Sequence, residues 1–303
     1  MNFVKQFLPW WVRIIAKIIL ARLPAPYLFW KRLHLFEHGD MNKPERAWVG
    51  FIEHARAAGV LQEEASLPYL KVRDGFTLLE LGPGDSLFSA LIASTLGASH
   101  VWLVDAGAFA TTDMMAYGEV TTFLKNRGYT IQSIRNFNNI SELLGACNCQ
   151  YLTDGTKSLS SIPSRSLDYC FSNAVLEHVQ RDEFTEMIHE LFRVSKPGGV
   201  CLHRIDFKDH LGGGLNNLRF SERIWNGSLF RNSGFYTNRM RLMEMLAIFS
   251  GAGFVYTLLR VLRWENLPIS RAKLDPEFLS FSDEELLVSG VDILLTKPLT
   301  EIQ

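Results

Sequence analysis

The sequence predicts an α/β fold: a mostly parallel sheet with helices on both faces. Two observations carry this. Leu78-Leu79-Glu80-Leu81 runs into Gly82-Pro83-Gly84-Asp85-Ser86 and then into a helix-length apolar segment, Leu87 to Leu96. That is a strand, a tight turn and a helix in immediate succession, the opening unit of a nucleotide-binding sheet. The same alternation then continues down the chain, and strands alternating with helices imply parallel strands covered on both sides.

The elements follow in order. Pro9 to Leu23 has proline in its first turn and Pro24 just past its end, the signature of a helix. A second helix is expected from Pro44 to Ala58. After the glycine turn, Val101-Trp102-Leu103-Val104 reads as a strand closed by Asp105, and Thr112 to Lys125 as a helix ending near Gly128. Cys149 to Leu152 is a short strand leading into Asp154-Gly155. Leu167 to Ser172 is apolar enough to be a fully buried strand. Arg181 to Val194 is amphipathic, with Phe184, Ile188, Leu191 and Phe192 on one stripe, and Pro197-Gly198-Gly199 is its expected stop. Val200 to Ile205 begins the next strand, Met240 to Ala252 is a further helix, and Phe254–Trp264 and Val291–Leu295 are the last strands.

Composition sets the bounds. The chain has 303 residues, 47% hydrophobic and 21% charged, enough for one large α/β domain with additions. The expected division is an N-terminal segment, 1–42, and a main domain, 43–303. A formal net charge of −1 argues against a broad nucleic-acid surface. Of the four cysteines only Cys147 and Cys149 are close, and they lack the second pair of a structural zinc site. Cys170 and Cys201 lie in apolar runs, which reads as buried thiols in a reducing compartment.

The turn after the first strand carries the chemistry. A ligand approaches a backbone closely only where no Cβ intrudes, which is the use of Gly82 and Gly84. Asp105, at the tip of the second strand, can accept both hydroxyls of a ribose. A dinucleotide site would need a small residue where Leu87 stands, and Asp85 would oppose a pyrophosphate at the helix N-terminus. Glu80 and Asp85 instead suit a nucleoside that carries positive charge and no phosphate. S-adenosyl-L-methionine, with its ammonium and sulfonium, fits.

Here the chain resembles the class I S-adenosylmethionine-dependent methyltransferases, type 11-like. The resemblance rests on Glu80-Leu81-Gly82-Pro83-Gly84, on Asp105, on the run from Ser166 to Val179 containing Leu176-Glu177-His178, and on Lys196-Pro197-Gly198-Gly199. It implies a Rossmann-like sheet of seven strands, mostly parallel, with the last two antiparallel. It also implies that Gly82 and Gly84 contact the methionine portion and that Glu80 lies near the amino group. Asp105 would hold the ribose, Asp154 the adenine amino group with Gly155 beside it, and Asn173 and Ala174 would line the cofactor. Asp154-Gly155 is equally an ordinary turn. Ser86 stands where many members carry a third glycine, and it can cap the following helix.

On the acceptor side, His178 follows the fourth strand, and Asp206, Asp209 and His210 converge beside it if the fifth strand ends near Asp206. A hydroxyl attacking the sulfonium methyl needs a base, and histidine is the side chain most easily tuned to neutral pH. These acids and the terminal histidine are also donors that a divalent cation accepts, but the sequence assigns no metal ligand set.

A long insertion, about 208–238, offers Asn216, Asn217, Arg219, Arg223, Arg231 and Asn232 with Phe220, Trp225, Phe230, Phe235 and Tyr236. Amides, guanidiniums and flat rings are what a polyhydroxylated acceptor requires, and a structureless loop this long would serve as its lid. Alternatively it is a surface excursion or an oligomer contact. The first 36 residues contain Lys5, Arg13, Lys17, Arg22, Lys31 and Arg32 and no acid, beside an apolar face of Phe7, Trp10, Trp11, Ile14, Ile15, Ile18 and Ile19. About 22 Å of helix cannot span a hydrocarbon core of roughly 30 Å. A basic, tryptophan-bearing amphipathic helix suits a membrane interface, or else it caps the core or the pocket.

The sequence therefore leads to a cytoplasmic methyltransferase, either peripheral at the inner face of the membrane or with its N-terminal helix capping the core or the pocket. It would methylate oxygen of a saccharide or sugar-linked acceptor in envelope polysaccharide or glycolipid assembly. A lipophilic acceptor such as a quinone is the second reading, and a silent cofactor-fold partner protein the third.

Overall fold

A computed structural model describes residues 10–20, 41–62, 71–72, 75–131 and 136–300. Its centre is a seven-stranded sheet: β1 (Thr77–Leu81), β2 (His100–Val104), β3 (Cys149–Leu152), β4 (Leu167–Asn173), β5 (Ser195–Asp206), β6 (Val255–Arg263) and β7 (Val288–Thr296). Their spatial order is β3-β2-β1-β4-β5-β7-β6. The first five run parallel, β7 is antiparallel to β5, and β6 is antiparallel to β7. This is the Rossmann-like, mostly parallel sheet expected from the sequence.

Alternation along the strands divides the core in two. Leu78, Leu103, Tyr169, Phe171 and Leu202 face one layer of helices. That layer consists of α2 (Pro44–Ala57), α3 (Phe88–Thr95), α4 (Met114–Asn126) and α5 (Ile140–Ala146). Leu79, Val104, Cys170, Cys201 and Ile293 face the other layer, made by α6 (Arg181–Val194) and α9 (Leu242–Gly251). With both faces covered, β1 and β4 are buried almost throughout, which is why they read as unbroken apolar runs.

The helix α6 ends at Val194 as expected, but the residues after it are not a separate stop. Ser195 begins β5 at once, and Lys196-Pro197-Gly198-Gly199 lies inside the strand as an irregularity, where pairing with β4 jumps from Leu167–Ser195 to Tyr169–Val200.

The 208–238 segment departs further from expectation. It contains a turn of helix at Asn216–Arg219 and two short helices, α7 (Glu222–Trp225) and α8 (Ser228–Arg231). Trp225, Phe230, Phe235 and Tyr236 bury their rings in a small core of their own with Leu211. Ile14 of α1 (Trp10–Leu20) completes this core, and Trp10 and Ile18 flank it. The Trp225 indole donates to the Thr237 carbonyl at 2.7 Å. These rings therefore hold the segment together and are not open faces for a sugar. One stripe of α1 is their partner, while Trp11, Ile15 and Ile19 are exposed. No helix among the described residues is long and apolar enough to cross a membrane. The rest of the basic N-terminal segment lies outside the described residues.

Candidate active site

Because β1 to β5 are parallel, the residues after each strand gather at one end of the sheet, where open α/β sheets bind ligands. Neighbouring strand ends are stitched together there. The Gly82 N–H donates to the Val104 carbonyl at 2.8 Å, the Asp105 N–H to Leu152 at 2.9 Å, and the Gly155 N–H to Asp105 at 2.9 Å.

Asp105, only 8% exposed, accepts the Gly84 N–H at 2.8 Å through one oxygen and the Ala106 N–H at 2.8 Å through the other. These two backbone bonds fix the plane of the carboxylate. Gly82 and Gly84 both have φ of 68°, and Gly155 has 60°. Ala174 also sits in the left-handed region at 54°, its N–H bonded to the Arg204 carbonyl at 2.9 Å. A non-glycine residue there costs roughly 1–2 kcal/mol. Such strain concentrates where backbone must face a ligand.

Glu80 is buried at the base of this turn. Burial pushes its carboxyl up to about 8, against the lowering effect of the Ser89 hydroxyl that donates to it, and the negative Asp105 adds to the rise. A cation placed here would restore the charge, which is the chemistry an amino-acid ammonium supplies. Ser86 does not cap α3 as its position suggested. Its hydroxyl donates to the Met41 carbonyl at 2.6 Å, and the helix begins from Leu87 without a side-chain cap. Asp154 is exposed at the end of β3, its N–H bonded to the Ser158 hydroxyl at 3.1 Å. Asn173 is half-buried at the end of β4.

The opposite wall holds the expected acceptor-side residues, in a different arrangement. β5 does end at Asp206, as their convergence required. His178 is exposed, and its ring centroid lies 4.8 Å from that of His210. Its Nδ1 is 2.8 Å from the Tyr236 carbonyl. A carbonyl only accepts, so Nδ1 carries the proton and Nε2 carries the lone pair.

Asp206 accepts the Lys208 N–H at 2.8 Å, with the Lys208 ammonium 3.4 Å away. Asp209 is turned inward: it accepts the N–H groups of Leu211 at 3.0 Å, Gly213 at 3.0 Å and Gly214 at 3.3 Å, and both the backbone and side-chain N–H of Asn216. Its carboxylate organises the loop. Its donors are all within that loop, so the site wall is formed by the others.

Two residues join this wall that sequence reasoning did not select. Glu177, 2% exposed, accepts the Asp206 N–H at 3.3 Å through Oε1. Burial pushes its carboxyl up to about 8, and Asp206 adds to the rise. Asn238, also buried, clamps the turn after β4 by donating to the carbonyls of Leu176 at 2.8 Å and Val179 at 3.0 Å. The signal for Glu177 was its place beside His178 at the end of a buried strand. Asn238 gave none.

Residues 79–203 match the family described as Methyltransferase domain. That span runs from β1 through the first part of β5 and contains the glycine turn, Asp105 and His178. The YcgJ protein of Bacillus subtilis is similar in fold at a TM-score of 0.42, with 16% identity over 75% of this chain and 93% of that one. Phosphoethanolamine N-methyltransferase 2 of Haemonchus contortus, in complex with phosphomonomethylethanolamine and S-adenosylhomocysteine, has a TM-score of 0.44 and 15% identity over 84% of this chain and 54% of that one. An S-adenosylmethionine-dependent methyltransferase of Methanosarcina mazei has a TM-score of 0.42 and 16% identity over 76% and 95%. No curated protein matches the sequence. The match gives residues 79–203 a methyltransferase domain, which supports a methyltransferase enzyme. S-adenosyl-L-methionine, the cofactor expected from the sequence, is consistent with that domain.

Proposed function

We propose that the enzyme transfers the methyl group to a hydroxyl of a saccharide or sugar-linked acceptor, in envelope polysaccharide or glycolipid assembly. In this reading Gly82 and Gly84 face the methionine portion and Glu80 its ammonium. Asp105 holds the ribose and Asp154 the adenine, while Gly155, Asn173 and Ala174 line the remainder. The acceptor oxygen attacks the methyl carbon in line with the carbon–sulfur bond. That bond breaks with its electrons moving to sulfur, and the hydroxyl proton leaves to the wall beside β4 and β5. Aligning oxygen, carbon and sulfur contributes roughly 7–11 kcal/mol, and assisted proton removal a further ~10²–10⁴-fold.

The observation that carries the reading is the exposed His178 imidazole beside His210 at the mouth, with Asp206 next to it. Groups able to accept a proton beside these strand ends support a reading in which an acceptor hydroxyl arrives there. Saccharide chemistry is supported by the polar character of the insertion, whose Asn216, Arg219, Asn226 and Arg231 are half-buried and bonded within the protein. A pocket of about 240 Å³ also opens there, between Arg181, Asp182, Asn226, Arg231 and Tyr236. The exposed stripe of Trp11, Ile15 and Ile19, with the basic N-terminal sequence, supports contact with the inner membrane face. The N-terminal segment 1–42 then serves the main domain, 43–303, as a docking element.

Transfer of a labelled methyl group to sugar nucleotides and glycolipids, compared with quinones, tests the acceptor. Turnover confined to quinones removes the saccharide reading, and no turnover by the native enzyme on either class removes both. Flotation with anionic vesicles tests the membrane contact. Equal recovery after Trp11, Ile15 and Ile19 are changed to serine removes it.

A further inference from the structure

Glu177, His178 and His210 come together at the acceptor wall from two separate segments. Each offers one ligand atom, and the three atoms lie within 4.8 Å of one another. An ion with bonds of about 2.1 Å holds its ligand atoms roughly 3–4 Å apart, so side-chain shifts of at most about 1–2 Å close the set.

Two further observations point to a ligand here. Glu177 is 2% exposed, and its Oε2 has no hydrogen-bond partner among the described residues, while Oε1 takes the Asp206 N–H at 3.3 Å. A buried carboxylate oxygen left without a donor is costly and rare. The Nδ1–H of His178 is held on the Tyr236 carbonyl at 2.8 Å, which aims the lone pair of Nε2 outward. That is how backbone carbonyls orient metal-ligating histidines.

We propose that Glu177, His178 and His210 form a divalent transition-metal site that binds the acceptor hydroxyl. Two imidazoles and one carboxylate are the donor set that zinc, manganese and ferrous iron accept, with open coordination positions left for substrate oxygen. The inference rests on the proposed acceptor side and changes how that wall acts: with their lone pairs on the ion, His178 and His210 position the hydroxyl instead of accepting its proton directly. Bound to the ion, the hydroxyl loses its proton to solvent near neutral pH. Its oxygen then takes the methyl carbon as the carbon–sulfur bond breaks, and the ion keeps its charge throughout. The site differs from the acid cluster suggested by sequence, because Asp209 is held by its own loop and Glu177 takes the carboxylate position.

Cobalt is the probe, because its visible absorption reports imidazole and carboxylate ligation. The full chain, stripped with chelator and measured without cofactor or acceptor, is expected to bind one equivalent of Co²⁺. Zn²⁺ should displace it. Glu177→Gln and His210→Ala should each weaken binding at least tenfold while keeping the native circular dichroism melt. Failure of the wild type to bind Co²⁺, Zn²⁺ or Mn²⁺, or undiminished binding by both variants, overturns the site. If either variant melts early, His178→Asn, at an exposed position, provides the same reading. Because binding is read without turnover, a negative result leaves the methyl-transfer reading standing, and inactivity on every acceptor leaves the metal result standing.

Discussion

Gly82 joins the ends of two strands, and changing it to alanine tests whether that junction shapes the cofactor turn. At φ 68° an added Cβ costs roughly 1–2 kcal/mol from backbone sterics alone. The same Cβ would lie 2.4 Å from Cγ2 and 3.1 Å from Cγ1 of Val175, which follows β4. Overpacking of that kind costs roughly 1–3 kcal/mol. Gly82→Ala should therefore destabilise the fold by roughly 2–5 kcal/mol and weaken cofactor binding. Val175→Ala removes the clash but not the backbone strain. In the double variant the 1–3 kcal/mol clash should vanish and the 1–2 kcal/mol strain should remain. Urea denaturation of the four proteins gives the coupling directly, and calorimetric titration with S-adenosylhomocysteine follows the site. If the two changes add within about 0.5 kcal/mol, the two strand ends do not meet as described and the reasoning fails.

Three further outcomes follow from buried groups. The folded protein holds the Glu80 proton up to about 8, more tightly than the unfolded chain, so this group's contribution to stability falls as pH rises from the ordinary carboxylate range through 8. Cofactor binding at pH 7 should then release a proton, read from calorimetry in two buffers of different ionisation enthalpy. Glu80→Gln should abolish the release and weaken binding by about 1.5–3 kcal/mol. No release by the wild type would refute the pairing of Glu80 with the ammonium. Arg241, 2% exposed, donates to the carbonyls of Phe207 at 3.2 Å, Glu285 at 3.1 Å and Leu286 at 3.2 Å, and also to Val288. Arg241→Met should cost at least roughly 4 kcal/mol in a denaturant melt, since four stranded acceptors cost about 1–3 kcal/mol each; a smaller loss would refute their dependence on this guanidinium. Cys149, Cys170 and Cys201 are buried and Cys147 is half-buried, all four as free thiols. A thiol reagent should label at most Cys147 quickly in the native protein and all of them after unfolding. Rapid native labelling of Cys170 or Cys201 would contradict the packing of β4 against β5.

The parts of this protein that were legible in sequence are those whose determinants are local. β1 and β4 announce themselves because both faces of each strand are buried, and α6 because its apolar stripe faces one layer. The glycine turn is legible because its backbone geometry has to be built into adjacent residues. Illegible features depend on partners distant in sequence. The rings of the insertion looked like open faces because nothing nearby covers them; their cover is Ile14, with Trp10 and Ile18, from the other end of the chain. Asp209 looked like a rim acid, although an acid followed closely by Gly212-Gly213-Gly214 is also the pattern of a tight loop closed on a carboxylate.

Glu177 is the opposite case. Its charge suggests an exposed residue, yet the turn that buries it is fixed by Asn238 and by the end of β5, neither of which its own segment contains. Two buried acids, Glu80 and Glu177, are therefore placed by different means: one by the strand it belongs to, the other by the residues at the end of the insertion that bond its turn. Burial raises both to about 8. In the proposed reading an ammonium would meet Glu80, and the proposed ion site rests on geometry: the Glu177 Oε2 has no hydrogen-bond partner among the described residues and lies with His178 and His210 in one cluster.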